Sequence, residues 1–388
     1  MRIGLFSDAY LPEISGVTTT VHWLKEELER LGHEVYVYVP EYKGFHDEEE
    51  RIFRFRSGQF TFHKASRVAL PYSLDAARSF KNLDILHSHT PFSLGLVAVG
   101  AATRYRIPHV HTYHTHLMDD RHYLPRPLRP PERETGKIIA TFCNRCTVIT
   151  APSTPIKEEL LSYGVHRPIH VFPFGVKLSL FQQEPVWDPR RELWIPETAP
   201  LFLYAGRLAK EKNLPFLLRT FRRIHDEDER AVLVLAGDGP IRKELKEQVE
   251  ASGLSGAVRF SGFLDHPRLV DLYKAADLFI FTSKTETQGL VLVESMAGGT
   301  PAVAIGELGV LDVVRDGING ILAPEDEEEF ARIALGLLND KALYARLRAG
   351  ALETAEDLST HHSTLRLLEV FNECLASSDK EDPKLNSI

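Results

Sequence analysis

The strongest constraint on this chain is a rhythm of short, unbroken apolar runs, each followed by a helix-patterned segment, which runs through twice. RIGLF (2–6) opens it, and Val21, Leu24, Leu28 and Leu31 then share one face at a 3.6-residue period, with Gly32 placed to end the helix. EVYVYVP (34–40) closes a β-α-β unit, and the pattern continues through DILHSH, IPHVHTYH, TVITAPS and PIHVFPF. Helices are expected near 93–104, 132–145 and 154–163. The rhythm restarts with PLFLYAG, AVLVLAG, VRFSG, LFIFTS and PAVAI. These runs are continuously apolar rather than alternating, as strands are when both faces of a parallel sheet are covered. The sequence therefore predicts an α/β protein of two doubly wound, Rossmann-like domains.

At 388 residues the chain exceeds one compact core and suits two. The expected boundaries are 1–176 for the first domain, 177–199 for a proline-rich linker or hinge, and 200–358 for the second. A helix over about 360–376 is expected to pack back, with the first domain favoured, and the polar stretch 377–388 is expected to be a disordered tail. No apolar run approaches the ~20 residues that span a bilayer. The apolar piece at the N-terminus is too short for a signal peptide. Three cysteines imply no disulfide framework, so a cytoplasmic setting is expected. CNRC (143–146) stands alone, without a second pair, and reads as structural. A net charge of −8 argues against nucleic acid as the main partner.

Chemistry concentrates in SKTETQGLVLVE (283–294), where Glu286 and Glu294 stand eight positions apart around Gly289. Ligands of open parallel sheets sit at the carboxyl ends of strands, and Glu286 leaves such a strand end. A helix starting near Gln288–Gly289 would offer free N–H groups to a phosphate. Eight residues of helix cover about 12 Å, comparable to the stretch of a nucleotide-sugar from hexose to ribose. One carboxylate could then bind sugar hydroxyls and the other the ribose diol. The bland alternative is a helix cap and a solvated helix residue. It weakens because Glu294 lies among apolar and small neighbours, where a buried carboxylate needs a partner. HVHTYHTH (109–116), with His87 and His89 nearby, raises the possibility of a metal. Period-two spacing puts His109 and His111 on one strand face, but no ligand pattern closes, so no metal is assigned.

The spacing resembles the E-x7-E signature of the family 4 retaining glycosyltransferases, two-domain enzymes of GT-B fold. YAGRLAKEKN (204–213), LAGDGPIRKEL (235–245) and FSGFLDHPRLVDLYKAADLFIFTS (260–283) resemble further segments of that family in the same order, and the likeness covers residues 1 to about 375. It implies two domains facing each other across a cleft, a nucleotide-sugar donor, and no required cofactor or catalytic metal. It assigns Arg207 and Lys212 to the leaving pyrophosphate and Gly16 to a donor phosphate. Gly237, Phe263, Leu264, Thr287, Gln288, Gly289 and Leu290, with Glu286 and Glu294, complete the donor site. His114 is placed near the sugar and acceptor, so His114, Glu286, Arg207 and Lys212 are the candidate catalytic residues.

HTYHTHLMDDRHYLPRPLRP (111–130) and TETQGLVLVE look like the corresponding stretches of bacterial diacylglycerol glucosyltransferases. That implies UDP-glucose as donor and a diacylglycerol, or a glycosylated one, as lipid acceptor. Between Arg51 and Lys81 there are seven Lys/Arg and one Asp, interleaved with Phe53, Phe55, Phe60, Phe62, Leu70 and Tyr72. Between Arg121 and Arg145 there are six Lys/Arg against two Glu. Such stretches suit peripheral association with an anionic membrane surface, on the inner face of the cell membrane. Two rivals stay open: the same transfer to a soluble sugar or glycan, and a nucleotide-sugar epimerase, which needs no acceptor.

Overall fold

The computed structural model describes residues 1–13, 15–47, 49–59, 67–114 and 129–380, with side chains omitted at 378–380. Phe60, Phe62, His116, most of the 111–130 segment and positions 381–388 of the tail lie outside the described residues. The chain divides into two units. One comprises Met1–Phe174 with Thr360–Ile388, the other Gly175–Ser359.

In the first unit, seven strands form one parallel sheet in the order β3-β2-β1-β6-β7-β8-β9. They are β1 (Arg2–Phe6), β2 (Glu34–Pro40), β3 (Ile52–Phe55), β6 (Ile85–Ser88), β7 (His109–Thr112), β8 (Val148–Ala151) and β9 (Ile169–Val171). β4 (Ser57–Gln59) and β5 (Arg67–Ala69) make a separate antiparallel pair. Ile3 sits opposite both Val35 and Ile85, which fixes β1 between β2 and β6. One face is covered by the helix Gly16–Arg30, whose Val21, Leu24 and Leu28 join Ile3, Leu5 and Val37 in the core. The C-terminal helix Thr360–Lys380 adds Leu367, Val370 and Phe371 to that same core.

Two local devices hold the carboxyl edge of this sheet. Ser15 caps the helix Gly16–Arg30, its hydroxyl accepting from the Thr18 amide at 3.2 Å. The helix Ser93–Tyr105 has no side-chain cap of its own. Asp8, from the loop after β1, does that work: its carboxylate accepts from the Leu94 amide at 3.2 Å and from the Ser93 and Thr90 hydroxyls. Burial nonetheless raises the Asp8 pKa above the usual carboxylate value, so desolvation outweighs these hydrogen bonds.

The second unit has a six-stranded parallel sheet, order β12-β11-β10-β13-β14-β15. These are β10 (Leu201–Ala205), β11 (Val232–Ala236), β12 (Val258–Gly262), β13 (Leu278–Phe281), β14 (Ala302–Ile305) and β15 (Gly320–Ala323). β10, β11, β13 and β14 are buried along their whole length, as their unbroken apolar sequences require. Chain order reverses between β10 and β13, the switch point where doubly wound sheets bind ligands.

The proline-rich stretch 177–199 is packed against this unit. Asp271 accepts from the amides of Val186 and Trp187, both at 2.9 Å, and Arg190 pairs with Asp277 at 3.0 Å. Prolines and aromatics here break periodicity without freeing the chain, because side chains from the sheet's own helices satisfy the backbone. Cys143, Cys146 and Cys374 are free thiols and buried. Burial pushes the Cys143 thiol up to about 12, which keeps it unreactive.

Candidate functional site

In the second unit the sequence-predicted residues gather at the carboxyl end of β10 and its neighbours. Three loops interlock there. Gly206 follows β10 and donates its amide to Ala236 at 2.9 Å, and Gly237 follows β11 and donates to Gly262 at 2.9 Å. A Cβ on Gly237 would stand 2.0 Å from the Gly206 carbonyl oxygen, and its φ is +137°. Only glycine allows the two loops to approach this closely.

Arg207 and Lys212 both lie in the loop after β10. Arg207 is exposed, and its carbonyl accepts from the Tyr204 hydroxyl at 3.2 Å. Lys212 closes a short 3-10 turn, Lys210–Lys212. Its ammonium donates directly to Glu286, which leaves the neighbouring strand β13. Both side chains are about four-fifths buried (20% and 17% exposed), so neither is a freely solvated surface group. The Thr282 hydroxyl donates to the Lys212 carbonyl at 3.1 Å, tying the two loops together. Burial, helped by the nearby Glu286 charge, holds the Tyr204 phenol well above its ordinary pKa, so it stays a neutral donor.

The helix carrying Glu294 begins at Leu290, slightly later than the sequence suggested, and Gly289 precedes it with φ +77°. The rise counted along a helix therefore applies only from Leu290 to Glu294. Thr287 and Gln288 belong to the loop, which the Gly309 amide pins by donating to the Glu286 carbonyl at 3.0 Å. Glu294 is buried and has two partners: Tyr273 donates to Oε2 at 2.8 Å, and His266 Nε2 lies 3.2 Å from Oε1. Sequence reasoning missed both partners. The signal was present, since His266 and Tyr273 lie seven positions apart on one helix, two turns that return to the same face. Phe263 and Leu264 directly follow Gly262, the last residue of β12; Phe263 is exposed.

Gly16 and His114 belong to the first unit. An added Cβ on Gly16 meets nothing within 4 Å, so its surroundings are open. His114 follows β7, with Nε2 2.9 Å from His89 Nδ1 and its ring 4.8 Å from that of Phe174. Burial lowers its pKa to about 3. His109 and His111 do share a strand face, and the Ser88 hydroxyl lies 2.8 Å from a nitrogen of each. Among the described residues no three His, Cys, Asp or Glu side chains converge as a metal-binding set.

Comparison with known proteins agrees along the chain. The family described as Glycosyltransferase Family 4 matches residues 14–180, and the one described as Glycosyl transferases group 1 matches residues 186–354. An alpha-monoglucosyldiacylglycerol synthase of Streptococcus pneumoniae is 35% identical over 83% of this chain and 75% of its own length. A GDP-mannose-dependent alpha-mannosyltransferase of Corynebacterium glutamicum is 29% identical over 98% of this chain and 91% of its own. Among solved structures, Anabaena HepE in complex with UDP superposes with a TM-score of 0.78 at 20% identity, covering 96% of this chain and all of that one.

Proposed function

The chain belongs to glycosyltransferase family 4, and from that membership we propose that it moves glucose from UDP-glucose to a diacylglycerol or glycosylated diacylglycerol, with retention at the anomeric carbon. One observation carries this reading: the Lys212–Glu286 pair between the loops of β10 and β13, with Glu294 standing in the helix beyond. Cleavage of the donor leaves a pyrophosphate whose growing charge needs cations and fixed donors. Arg207 and Lys212 supply the cations, and the Gly289–Leu290 helix start supplies amides. Glu286 accepts from hexose hydroxyls and Glu294 from the ribose diol. Phe263 and Leu264 meet the base through their backbone, and Gly16 lets a phosphate approach the main chain.

Retention follows attack from the face that the pyrophosphate leaves. The bond from the anomeric carbon to the diphosphate oxygen breaks, the acceptor oxygen bonds to that carbon, and its proton passes to the departing phosphate. No carboxylate nucleophile is needed, so Glu286 positions the donor. His114 acts as a neutral hydrogen-bonding group toward the hexose or the acceptor hydroxyl, since burial keeps it unprotonated at neutral pH.

The lipid acceptor is favoured by the surface of the first unit. Val68, Leu70, Tyr72 and Leu74 are all at least half exposed, and Phe92 and Leu96 are similarly exposed. The Ala69 amide donates to the Ser93 hydroxyl at 3.0 Å, which sets β5 beside the helix that follows Phe92. Arg56, Arg78 and Lys81 add exposed positive charge. Among the described residues no helix is long and apolar enough to cross a membrane, so attachment would be peripheral. The name of the Streptococcus pneumoniae relative supports the same acceptor.

The test is product analysis by mass spectrometry. UDP-glucose, UDP-galactose and GDP-mannose are each offered with diacylglycerol in anionic vesicles, with soluble sugar phosphates, and with no acceptor. Glucosyl-diacylglycerol from UDP-glucose is the expected product. Transfer only to a soluble acceptor, or donor conversion without any acceptor, would refute the reading in favour of the two rivals.

A further inference from the structure

We infer that His89 is a positioning residue for transfer: its Nδ1–H donates to His114 Nε2 and thereby fixes His114 as the tautomer that carries its own proton on the far nitrogen, Nδ1. The inference rests on the proposed role of His114 and adds the residue that sets its tautomer.

The geometry leaves two arrangements for the 2.9 Å contact between His89 Nδ1 and His114 Nε2. Either His89 donates, or His114 does. Both rings are neutral, because burial of each disfavours the imidazolium. The opposite atom of His89 decides between them. Nε2 of His89 is fully buried and has no hydrogen-bond partner among the described residues. If His114 donated, His89 would carry its proton on Nε2, leaving a buried N–H with no acceptor. If His89 donates, Nε2 holds only a bare lone pair. A buried donor without a partner is the costlier and rarer defect, so the proton sits on Nδ1. Turning the His89 ring over would put a C–H against His114 and lose the bond.

The adjoining histidine obeys the same rule. His87 Nε2 lies 2.7 Å from the Thr112 hydroxyl, and its Nδ1 is buried without a partner. With the proton on Nε2, His87 donates to Thr112, which is free to donate onward to Thr150 at 2.6 Å. Packing holds the file in register. The rings of His87 and His89 lie 4.1 Å apart, Phe371 packs on His87, and Phe174 packs on His114. His89 therefore has no room to swing, and the tautomer of His114 is built into the fold.

The consequence is chemical. With Nε2 accepting from His89 and Nδ1 carrying its own proton, His114 keeps no lone pair with which to remove a proton as a base. That agrees with a transfer in which the leaving phosphate takes the proton.

The test uses the full chain with isotope-labelled histidine. Nuclear magnetic resonance of the ring nitrogens should show His114 protonated on Nδ1, and His89→Leu should convert it wholly or partly to the Nε2 form. In kinetics, His89→Leu should lower kcat at least tenfold with KM for the nucleotide-sugar changed less than about threefold. His89→Asn, whose amide N–H can take the place of Nδ1–H, should recover kcat to within about threefold of wild type. UDP binding and circular dichroism check folding of each variant. A wild-type His114 protonated on Nε2 overturns the inference, as does an equal loss of kcat in the Leu and Asn variants. His114→Ala with full turnover would instead overturn the proposed role of His114, while the spectra still judge the pairing.

Discussion

At the scale of single residues, the proposed chemistry rests on charges that are paired before any substrate is considered. Lys212 and Glu286 neutralise each other in a site where both are mostly buried. Lys212→Ala removes the cation proposed for the pyrophosphate and strands the Glu286 carboxylate. Steady-state kinetics should show kcat/KM reduced by about 10²–10³-fold, the scale of losing one charge-stabilising donor. A change below threefold would remove Lys212 from the mechanism. Tyr273 poses a separate question, because its hydroxyl holds Glu294 from within the protein at 2.8 Å. Tyr273→Phe should cost about 1.5–3 kcal/mol in urea denaturation, as expected for a hydrogen bond to a charged group. It should also raise KM for the nucleotide-sugar, as Glu294 loses its orientation.

At the scale of elements, the helix Leu290–Ala297 depends on the conformation of the residue before it. Gly289 has φ +77°, so Gly289→Ala should destabilise the second unit by about 1–2 kcal/mol, measured as a shift in denaturant midpoint. The elements also show what was legible in advance. Strands such as Val232–Ala236 and Leu278–Phe281 were readable because burial on both faces leaves only apolar residues. The edge strand Gly320–Ala323 was not, because a half-buried edge needs no such run, and its GILA sequence carries no period. Glu286 could be named from its spacing to Glu294 and Lys212 from the family resemblance, but their direct contact could not. It requires β10 and β13 to be neighbours, with Phe202 opposite Leu278, and strand order across a crossover is not written in local sequence. The same holds for Asp8, which caps a helix 86 positions away.

At the scale of the whole molecule, burying histidines makes stability depend on pH. His87, His89, His109 and His111 are almost wholly inaccessible, and desolvation lowers the pKa of each, to about 3 for His109. In the unfolded chain each titrates near 6.5. Between these values the unfolded state binds more protons, so stability is complete above about pH 6.5 and falls as pH drops toward 3. Each group contributes up to about 1.4 kcal/mol per pH unit. Thermal melts should show the first unit losing Tm steeply between pH 7 and 5, and a flat profile would mean these rings are not buried neutral. The proposed mechanism turns on where the donor lies. A crystal structure of the complex with UDP-glucose tests it most directly. The pyrophosphate should lie within hydrogen-bond reach of Arg207 and Lys212, with the ribose diol on Glu294 and the hexose on Glu286. A donor bound elsewhere, with Lys212 and Glu286 untouched, would contradict the account.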